Sequence, residues 1–367
     1  MTETAAVLFL SSSILGTILV LALSRIAGRL GLVDQPRGRK AHEHATPLVG
    51  GLAVIAAAGL ITAAWLFFSH PAQASAFASQ HIGFFVGAII LLAMGAFDDR
   101  HPIPARYKLL VQFAACTLAV VVDQAVVGDI GLNLGPMTLV FGPMVWPFTI
   151  LVMVTITNAI NMIDGVDGLA GGITLAVLLI IGKAALTAGF ASAPMLFALA
   201  GAITAFLVFN FPWRSGRRAT LFLGDAGSLV FGFALAYLAI DYSALPDRVF
   251  KPSTALWFFF IPVADTVWLY IRRLVVAGAP FMAGRDHIHH LLMERLSAAQ
   301  TTWLLVGLTA AFSGAAYFAE RRGVSNWVII LAWIVAFLIY GAVTHQGWLA
   351  AWRQSAVFNR AESRKLR

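Results

Sequence analysis

Eleven stretches of mostly apolar residues, many of them close to 20 residues long, recur along the chain with short polar segments between them. An α-helix of about 20 such residues can cross the ~30 Å hydrocarbon core of a bilayer, and it pairs its own backbone groups there. We therefore predict an all-α, polytopic integral membrane protein with about 11 transmembrane helices. The predicted spans are residues 5–24, 48–68, 82–97, 109–127, 144–161, 169–187, 194–210, 228–240, 255–271, 302–319 and 325–344, of which the eighth is short and the fifth contains asparagines.

The composition excludes a water-soluble protein. Of the 367 residues, 60% are hydrophobic and 11% are charged, whereas soluble domains contain about 25% charged residues. No polar segment is long enough to fold alone, so residues 1–367 are predicted to form one membrane domain with a basic tail at about 350–367. Basic loops facing anionic lipid then explain the net charge of +8, and no nucleic-acid partner is expected.

The basic residues divide unevenly between the two sets of alternate loops. Twenty of the 25 lysines and arginines lie in the C-terminal tail and in the loops that begin near Arg25, Arg100, Arg214 and Arg272, and five lie on the other side. This asymmetry predicts that the first set of loops and the C-terminus are cytoplasmic and that the N-terminus is outside. On the outer side, the alternating apolar residues of GDIGLNLGPMTLVFG predict a small β-hairpin.

Three acidic motifs lie at the ends of spans on the basic side. They are GAFDDR with Asp98 and Asp99, NAINMIDGVDGL with Asn158, Asn161, Asp164 and Asp167, and FLGDAGS with Asp225. An ionised aspartate at membrane depth costs roughly 2.5–3.5 kcal/mol, so acids that recur on one face indicate a single polar site. The spacing of the two asparagines and Asp164 predicts a shared helical face. Taken alone, each motif is also compatible with a helix cap or a solvated helix end.

The acids predict a divalent cation. Asp98, Asp99 and Asp225 have no fixed positive partner within their motifs. Neighbouring carboxylates repel unless a cation neutralises them, and Mg²⁺ favours a few carboxylates together with phosphate oxygens.

Basic groups on the same side are candidates for binding phosphate. They are Lys40 and His42 in the first loop, Lys108 after the first acidic motif, Arg272 and Arg273 at the end of a span, and His287, His289 and His290 in RDHIHH. The alternatives are a solvated loop, arginines that anchor a span at the interface, and a zinc site that lacks the usual ligand spacing. Acids for a metal and cations for phosphates predict phosphoryl transfer to a lipid.

The motifs, together with RKAHEHATPLVGG and with IPVAD and YIRR, occur in order between about residues 34 and 295. On these residues the chain resembles the polyprenyl-phosphate N-acetylhexosamine-1-phosphate transferases. The resemblance implies transfer of N-acetylglucosamine 1-phosphate from UDP-N-acetylglucosamine to undecaprenyl phosphate, release of UMP, and dependence on Mg²⁺ or Mn²⁺. It also implies the bacterial inner membrane, a cytoplasmic active site and the first step of a cell-envelope polysaccharide such as lipopolysaccharide O-antigen.

The resemblance assigns roles to the motif residues. Asp98 and Asp99 would act on the lipid phosphate, Asp164 and Asp167 would serve catalysis on the metal and nucleotide side, and Asp225, Asp99 and Asp164 would hold the metal. The substrate-binding set would be Lys40, His42, Lys108, Asn158, Asn161, Arg272, Arg273, His287, His289 and His290. Pro102 stands where the family often has a third aspartate, so that carboxylate is missing here. HIHH, in place of three consecutive histidines, resembles the N-acetylglucosamine branch.

Other classes of protein fit the sequence less well. A transporter needs acids at mid-membrane depth and usually paired repeats, and a membrane di-iron oxygenase needs more histidines than this side of the chain offers. A sister transferase that uses another UDP-sugar stays open, and so does the choice between a monomer and a homodimer.

Overall fold

A computed structural model describes residues 1–35, 45–134, 137–140, 142–213, 218–244, 248–277 and 286–365. The helices are α1 Thr2–Leu30, α2 Gly50–Ser69, α3 Pro71–Gln80, α4 Ile82–Arg100, α5 Ala105–Asp123, α6 Val145–Ile163, α7 Leu169–Ala188, α8 Ala193–Asn210, α9 Asp225–Ala244, α10 Pro252–Phe258, α11 Phe260–Ala277, α12 Ile288–Met293, α13 Ala298–Arg321 and α14 Asn326–Lys365. The strands are β1 Val33–Asp34, β2 Thr46–Pro47, β3 Asp129–Leu134 and β4 Met137–Val140.

The prediction of an all-α membrane protein is confirmed. Within the described ranges, 10 helices are long and apolar enough to cross a membrane, and α10 with α11 makes up to 11. The eighth predicted span was drawn too short, because the helix begins at Asp225 and has 20 residues. The fourth runs from Ala105 to Asp123, about four residues earlier than predicted at both ends.

The ninth predicted span is bent rather than straight. Helices α10 and α11 meet at Phe259 with an angle of 80° between them. Pro262 has no amide hydrogen to donate to the carbonyl of Phe258, four residues earlier, and a proline in a helix interior breaks or kinks it for this reason. The bend turns α11 toward the loop that carries the histidine motif.

Helix α9 is the centre of the bundle and buries residues along almost its whole length. Glycines on the neighbouring helices α2 and α4 allow these helices to pack closely against the first turn of α9. A Cβ on Gly95 of α4 would overlap the backbone of Ala226, and one on Gly51 of α2 would overlap Gly227. Because nothing larger fits, the last turn of α4 and the first turn of α9 are held side by side.

Two small antiparallel sheets complete the fold. Strands β3 and β4 pair with a register shift between Asp129 and Asn133, which confirms the predicted hairpin. Strands β1 and β2, which were not predicted, pair on either side of residues 36–44.

The two ends of the bundle are named here by their residues. The site end contains the last turn of α4 with Asp98 and the first turn of α9 with Asp225. The far end contains the start of α4 at Ile82, the end of α5 at Asp123 and the end of α9 at Ala244.

Candidate active site

Lys108 joins two of the predicted acidic motifs at the site end. Its Nζ donates to Asp98 Oδ2 and to Asp225 Oδ2, each at 2.8 Å. Asp98 also accepts the backbone N–H of Ile103 at 2.6 Å. The sequence argument considered only partners within the motifs of Asp98 and Asp225. The positive partner comes from outside these motifs, because α5 brings Lys108 back across the short turn that follows α4. The ammonium of Lys108 therefore neutralises negative charge on both carboxylates.

Asp99 caps helix α9. Its Oδ1 accepts the N–H of Asp225 at 2.8 Å, and its Oδ2 accepts the N–H of Ala226 at 3.3 Å. Carboxylates at a helix N-terminus satisfy unpaired N–H groups and complement the helix dipole. Gly224 precedes the helix with φ +77°, and a Cβ there would lie 2.5 Å from Asp99 Oδ2, so the turn requires glycine. Asp99 thus fixes the turn that carries Asp225.

Helix α6 brings Asn161 and Asp164 to the same place, but not Asn158. Asn161 Nδ2 donates to Asp225 Oδ1 at 3.0 Å and to Ser228 Oγ at 2.9 Å. Asn158 instead donates to Tyr270 Oη of α11 at 2.9 Å. The predicted shared face fails because a spacing of six residues turns by about 120° around a helix of 3.6 residues per turn. In addition, Asp164 lies just past the end of α6.

The carboxylates outnumber the cation at this end. Burial raises the pKa of Asp164 well above its usual range, and the neighbouring Asp225, Asp99 and Asp167 raise it further. Lys108 pairs with only two of the acids, Asp98 and Asp225, and a bound cation would favour the ionised form of Asp164.

The donor set suits a hard cation. In the part of the chain that the structure describes, no group of three or more His, Cys, Asp or Glu has metal-binding geometry as it stands. Carboxylate and amide oxygens are nevertheless the ligands that Mg²⁺ and Mn²⁺ prefer, whereas structural zinc sites use sulfur and imidazole. The chemistry of Asp225, Asp164 and Asn161 therefore fits Mg²⁺ or Mn²⁺.

Asp167 faces the neighbouring loop. Its Oδ2 accepts the N–H of Ala219 at 3.0 Å, and its carbonyl accepts Thr302 Oγ1 of α13 at 2.9 Å. It ties the glycine-rich turn after α6 to the chain before α9, close enough to Asp164 to affect the pKa of that carboxyl.

The histidine motif is anchored by a buried acid that sequence reasoning left without a role. Asp265 of α11 is 2% exposed. It accepts hydrogen bonds from His287 Nδ1 at 2.7 Å, from the N–H of Ile288 at 2.8 Å and from Tyr340 Oη of α14 at 2.7 Å. These contacts fix the orientation of the His287 ring. An acid inside an apolar span was the signal that could have identified Asp265.

His289 connects the histidine motif with the acidic motifs. A Cβ added to Gly165, in the turn between Asp164 and Asp167, would lie 2.6 Å from His289 Nε2. The ring of His289 stacks on that of His287, with centroids 5.4 Å apart, and lies 4.2 Å from that of His290. Burial, followed by the neighbouring His290 and His287, lowers the pKa of His289 to about 3. His289 is therefore neutral at physiological pH.

Arg272 and Arg273 are both buried beside this motif, each 4% exposed. Arg273 donates to both oxygens of Asp286, with Nη2 2.5 Å from Oδ1 and Nε 3.3 Å from Oδ2. Arg272 Nη1 donates to the carbonyl of Thr344 in α14 at 3.2 Å. Arg273 thus braces the loop and Arg272 ties α11 to α14, and their contact with a diphosphate stays a prediction. Lys40 and His42 lie outside the described residues, as does Arg285.

The structure thus brings together the acids of three motifs, one lysine and the histidines at one end of a bundle of membrane-spanning helices. This combination is typical of a polytopic membrane enzyme. The model of glycosyl transferase family 4 matches residues 81–243, a range that contains both acids bonded to Lys108 but not the motif with His287, His289 and His290.

Relatives match nearly the whole chain. Undecaprenyl-phosphate alpha-N-acetylglucosaminyl 1-phosphate transferases from Salmonella typhi and Escherichia coli (strain K12) are 32% and 31% identical, over 91% of this chain and 89% of theirs. A probable undecaprenyl-phosphate N-acetylglucosaminyl 1-phosphate transferase from Bacillus subtilis is 31% identical, over 78% of this chain and 76% of its own. The chain belongs to glycosyl transferase family 4.

Proposed function

We propose that the chain transfers N-acetylglucosamine 1-phosphate from UDP-N-acetylglucosamine to undecaprenyl phosphate and releases UMP. The observation that carries the proposal is the convergence of Asp98 and Asp225 on Lys108, with Asp164 close to Asp225, in a chain 32% identical to relatives named for this reaction. The lysine and arginine asymmetry supports a cytoplasmic site in the bacterial inner membrane. The product would begin a cell-envelope polysaccharide.

The reaction exchanges one phosphorus–oxygen bond for another. An oxygen of the lipid phosphate bonds to the β-phosphorus of the sugar nucleotide, and the bond from that phosphorus to UMP breaks. UMP leaves with the electron pair, and no oxidation or reduction occurs. The protein's contribution is positioning and charge neutralisation, because the charge is spread over the phosphate oxygens.

Each residue then has a task in that exchange. Lys108 neutralises charge on the reacting phosphates, and Asp98 orients the ammonium and accepts a proton from any acceptor phosphate that is still protonated. Asp99 holds the turn that carries Asp225. His287, oriented by Asp265, and the neutral His289 bind the nucleotide diphosphate next to the turn between Asp164 and Asp167. Removing one contact of this kind typically costs about 2.7–4 kcal/mol of transition-state stabilisation.

Asp225, Asp164 and Asn161 would hold Mg²⁺ or Mn²⁺. When bound, the ion neutralises charge on the diphosphate of the donor. We expect excess EDTA to abolish UMP release and Mg²⁺ or Mn²⁺ to restore it. Full activity in EDTA would contradict a metal requirement. Rescue by Zn²⁺ alone would indicate that the histidines are the metal ligands.

The donor is tested with purified protein, undecaprenyl phosphate and a panel of UDP-sugars that differ at the 2- and 4-positions. We expect UMP release to be fastest with UDP-N-acetylglucosamine and to require the lipid. Faster release with another donor would identify a sister transferase. Release of UDP in place of UMP would overturn the proposed reaction.

A further inference from the structure

An apolar cavity of about 850 Å³ lies at the far end of the bundle, remote from the acids of the candidate active site. Its walls come from α2, α3, α4, α8 and α9. Leu60, Phe67, Phe68 and Ile89 line it and are also exposed on the outside of the bundle, so it opens onto the surface that faces lipid. Small-molecule sites occupy about 300–1,000 Å³ and combine apolar walls with a few polar groups.

The polar groups of this cavity are gathered where α4 begins and α9 ends. His81 Nδ1 and Tyr237 Oη are 2.8 Å apart, and Tyr237 donates to Asp123 Oδ2 at 3.0 Å. Asp123 also accepts the N–H groups of Gly83 and Phe84, each at 2.7 Å, so its own hydrogen bonds are satisfied. This chain of contacts fixes a polar corner on an otherwise apolar wall.

Asp241 lines the same corner but has a different environment. No residue in the described part of the chain donates a hydrogen bond to its carboxyl group, and the ionisable groups that interact with it electrostatically are His81 and Asp123. A carboxylate at membrane depth is expensive unless a donor or a cation compensates it. A ligand bound in the cavity can supply the hydrogen-bond donor or the cation that the protein does not.

The charge of the cavity selects among ligands. Asp241 and His81 line its polar corner, Asp123 lies behind Tyr237, and among the described residues no lysine or arginine lines the cavity. An anionic head group would meet repulsion there, whereas an ammonium would donate hydrogen bonds to Asp241.

We propose that this cavity binds a phospholipid whose head group is a primary ammonium, with one acyl chain in the apolar part and the ammonium on Asp241. The site is separate from the reaction centre, since Asp241 lies 16 residues along α9 from Asp225, about 24 Å at 1.5 Å per residue. The proposal is independent of the proposed reaction.

Two glycines provide a matched pair of variants. Gly59 lines the cavity and a Cβ there would meet nothing within 4 Å, so Gly59→Leu has room for its first side-chain atom and reduces the space in the cavity. Gly307 of α13 is equally open but lies away from the cavity, so Gly307→Leu is the control. Asp241→Asn tests the head group alone, because it keeps the side-chain volume and removes the charge.

The experiment is native mass spectrometry of the full-length protein with equal amounts of phosphatidylethanolamine, phosphatidylcholine and phosphatidylglycerol. We expect the parent protein and Gly307→Leu to retain phosphatidylethanolamine at least fivefold over phosphatidylglycerol. Phosphatidylcholine, whose quaternary ammonium has no N–H donor, should be retained less. Gly59→Leu should lose most of the bound lipid, and Asp241→Asn should bind the three lipids about equally. Thermal unfolding checks that every variant is folded.

Four results would overturn the proposal. Equal retention of all lipids by the parent would mean that the head group is not recognised. An unchanged lipid preference in Asp241→Asn would mean that another residue recognises the head group. Unchanged lipid retention in Gly59→Leu would mean that the lipid does not bind in the cavity. A monomeric Gly59→Leu beside a dimeric parent would instead assign this face to a second copy of the chain.

Discussion

At each end of the bundle a carboxylate caps a helix, but the surroundings of the two carboxylates differ. At the site end, Asp99 accepts the first N–H groups of α9, and at the far end Asp123 accepts those of α4. Around Asp123 there are a tyrosine, a histidine and one further carboxylate, Asp241. Around Asp99 there are further carboxylates and a shared lysine.

The difference teaches that an acid at a helix end is not by itself a functional signal. Asp99 and Asp123 are both structural caps by their contacts. The site end is distinguished by what converges on it: Lys108 between two acids, a further acid at Asp164, and a buried histidine against Gly165. A cap needs only one carboxylate, so the remaining charge must serve another purpose.

The largest effects are expected from Asp98→Asn and Asp225→Asn. Both substitutions keep side-chain volume and remove one charge from the Lys108 contacts, so turnover should fall ~10²–10³-fold. Asp98→Asn should keep binding of the UDP-sugar, whereas Asp225→Asn should raise the Mg²⁺ needed for half activity. UMP release measured against Mg²⁺ concentration, with donor binding measured separately, checks both.

The Asp98 and Asp225 variants can also fail in informative ways. Turnover of both variants within a few-fold of the parent would mean that the carboxylates are structural. Loss of UDP-sugar binding in Asp98→Asn would mean that the roles proposed for Asp98 and Asp225 must be exchanged.

A second pair compares the two caps directly. Asp99→Asn and Asp123→Asn should each cost about 1 kcal/mol of stability, the usual magnitude for a weakened N-cap. Only Asp99→Asn should reduce turnover, by about tenfold or more, because the turn it holds carries Asp225. Thermal unfolding and UMP release on the same preparations separate the two effects. Equal loss of turnover in both variants would contradict the claim that only the cap at the site end supports catalysis.

A smaller effect is expected from Tyr340→Phe, which removes one of three hydrogen bonds to Asp265. Loss of a bond to a charged group typically costs about 1.5–3 kcal/mol, and the two remaining donors should limit the loss of turnover to about tenfold. Tyr242→Phe at the far end removes a hydroxyl that bonds to Ser192 and is the matched control. A loss as large in Tyr242→Phe would indicate general destabilisation. Normal turnover in Tyr340→Phe would mean that Asp265 does not need α14.

Hydropathy and charge were enough to predict the spans and which acids share an end. The reason is that membrane thickness sets helix length and that alternate loops lie on the same side. The bend at Phe259 could also have been predicted, from Pro262. Span boundaries were less accurate, because polar first turns such as the one at Asp225 belong to the helix but lower its apolar average.

The pairings within the site could not be predicted. Lys108 lies 117 residues from Asp225, and Tyr340 lies 75 residues from Asp265. Such contacts depend on how helices pack, and one sequence contains no signal for them. The far-end cluster was missed for a related reason, since Asp123 and Asp241 are single acids in separate segments and do not form a motif.

The most direct test of the account follows the β-phosphate of the donor. UDP-N-acetylglucosamine labelled with ³²P at that phosphate is incubated with undecaprenyl phosphate and either the parent protein, Asp98→Asn or Asp123→Asn. The account predicts that the label enters the lipid phase with the parent and with Asp123→Asn, and that Asp98→Asn transfers at least 100-fold less. Label that stays in the aqueous phase as UDP, or full transfer by Asp98→Asn, would contradict it.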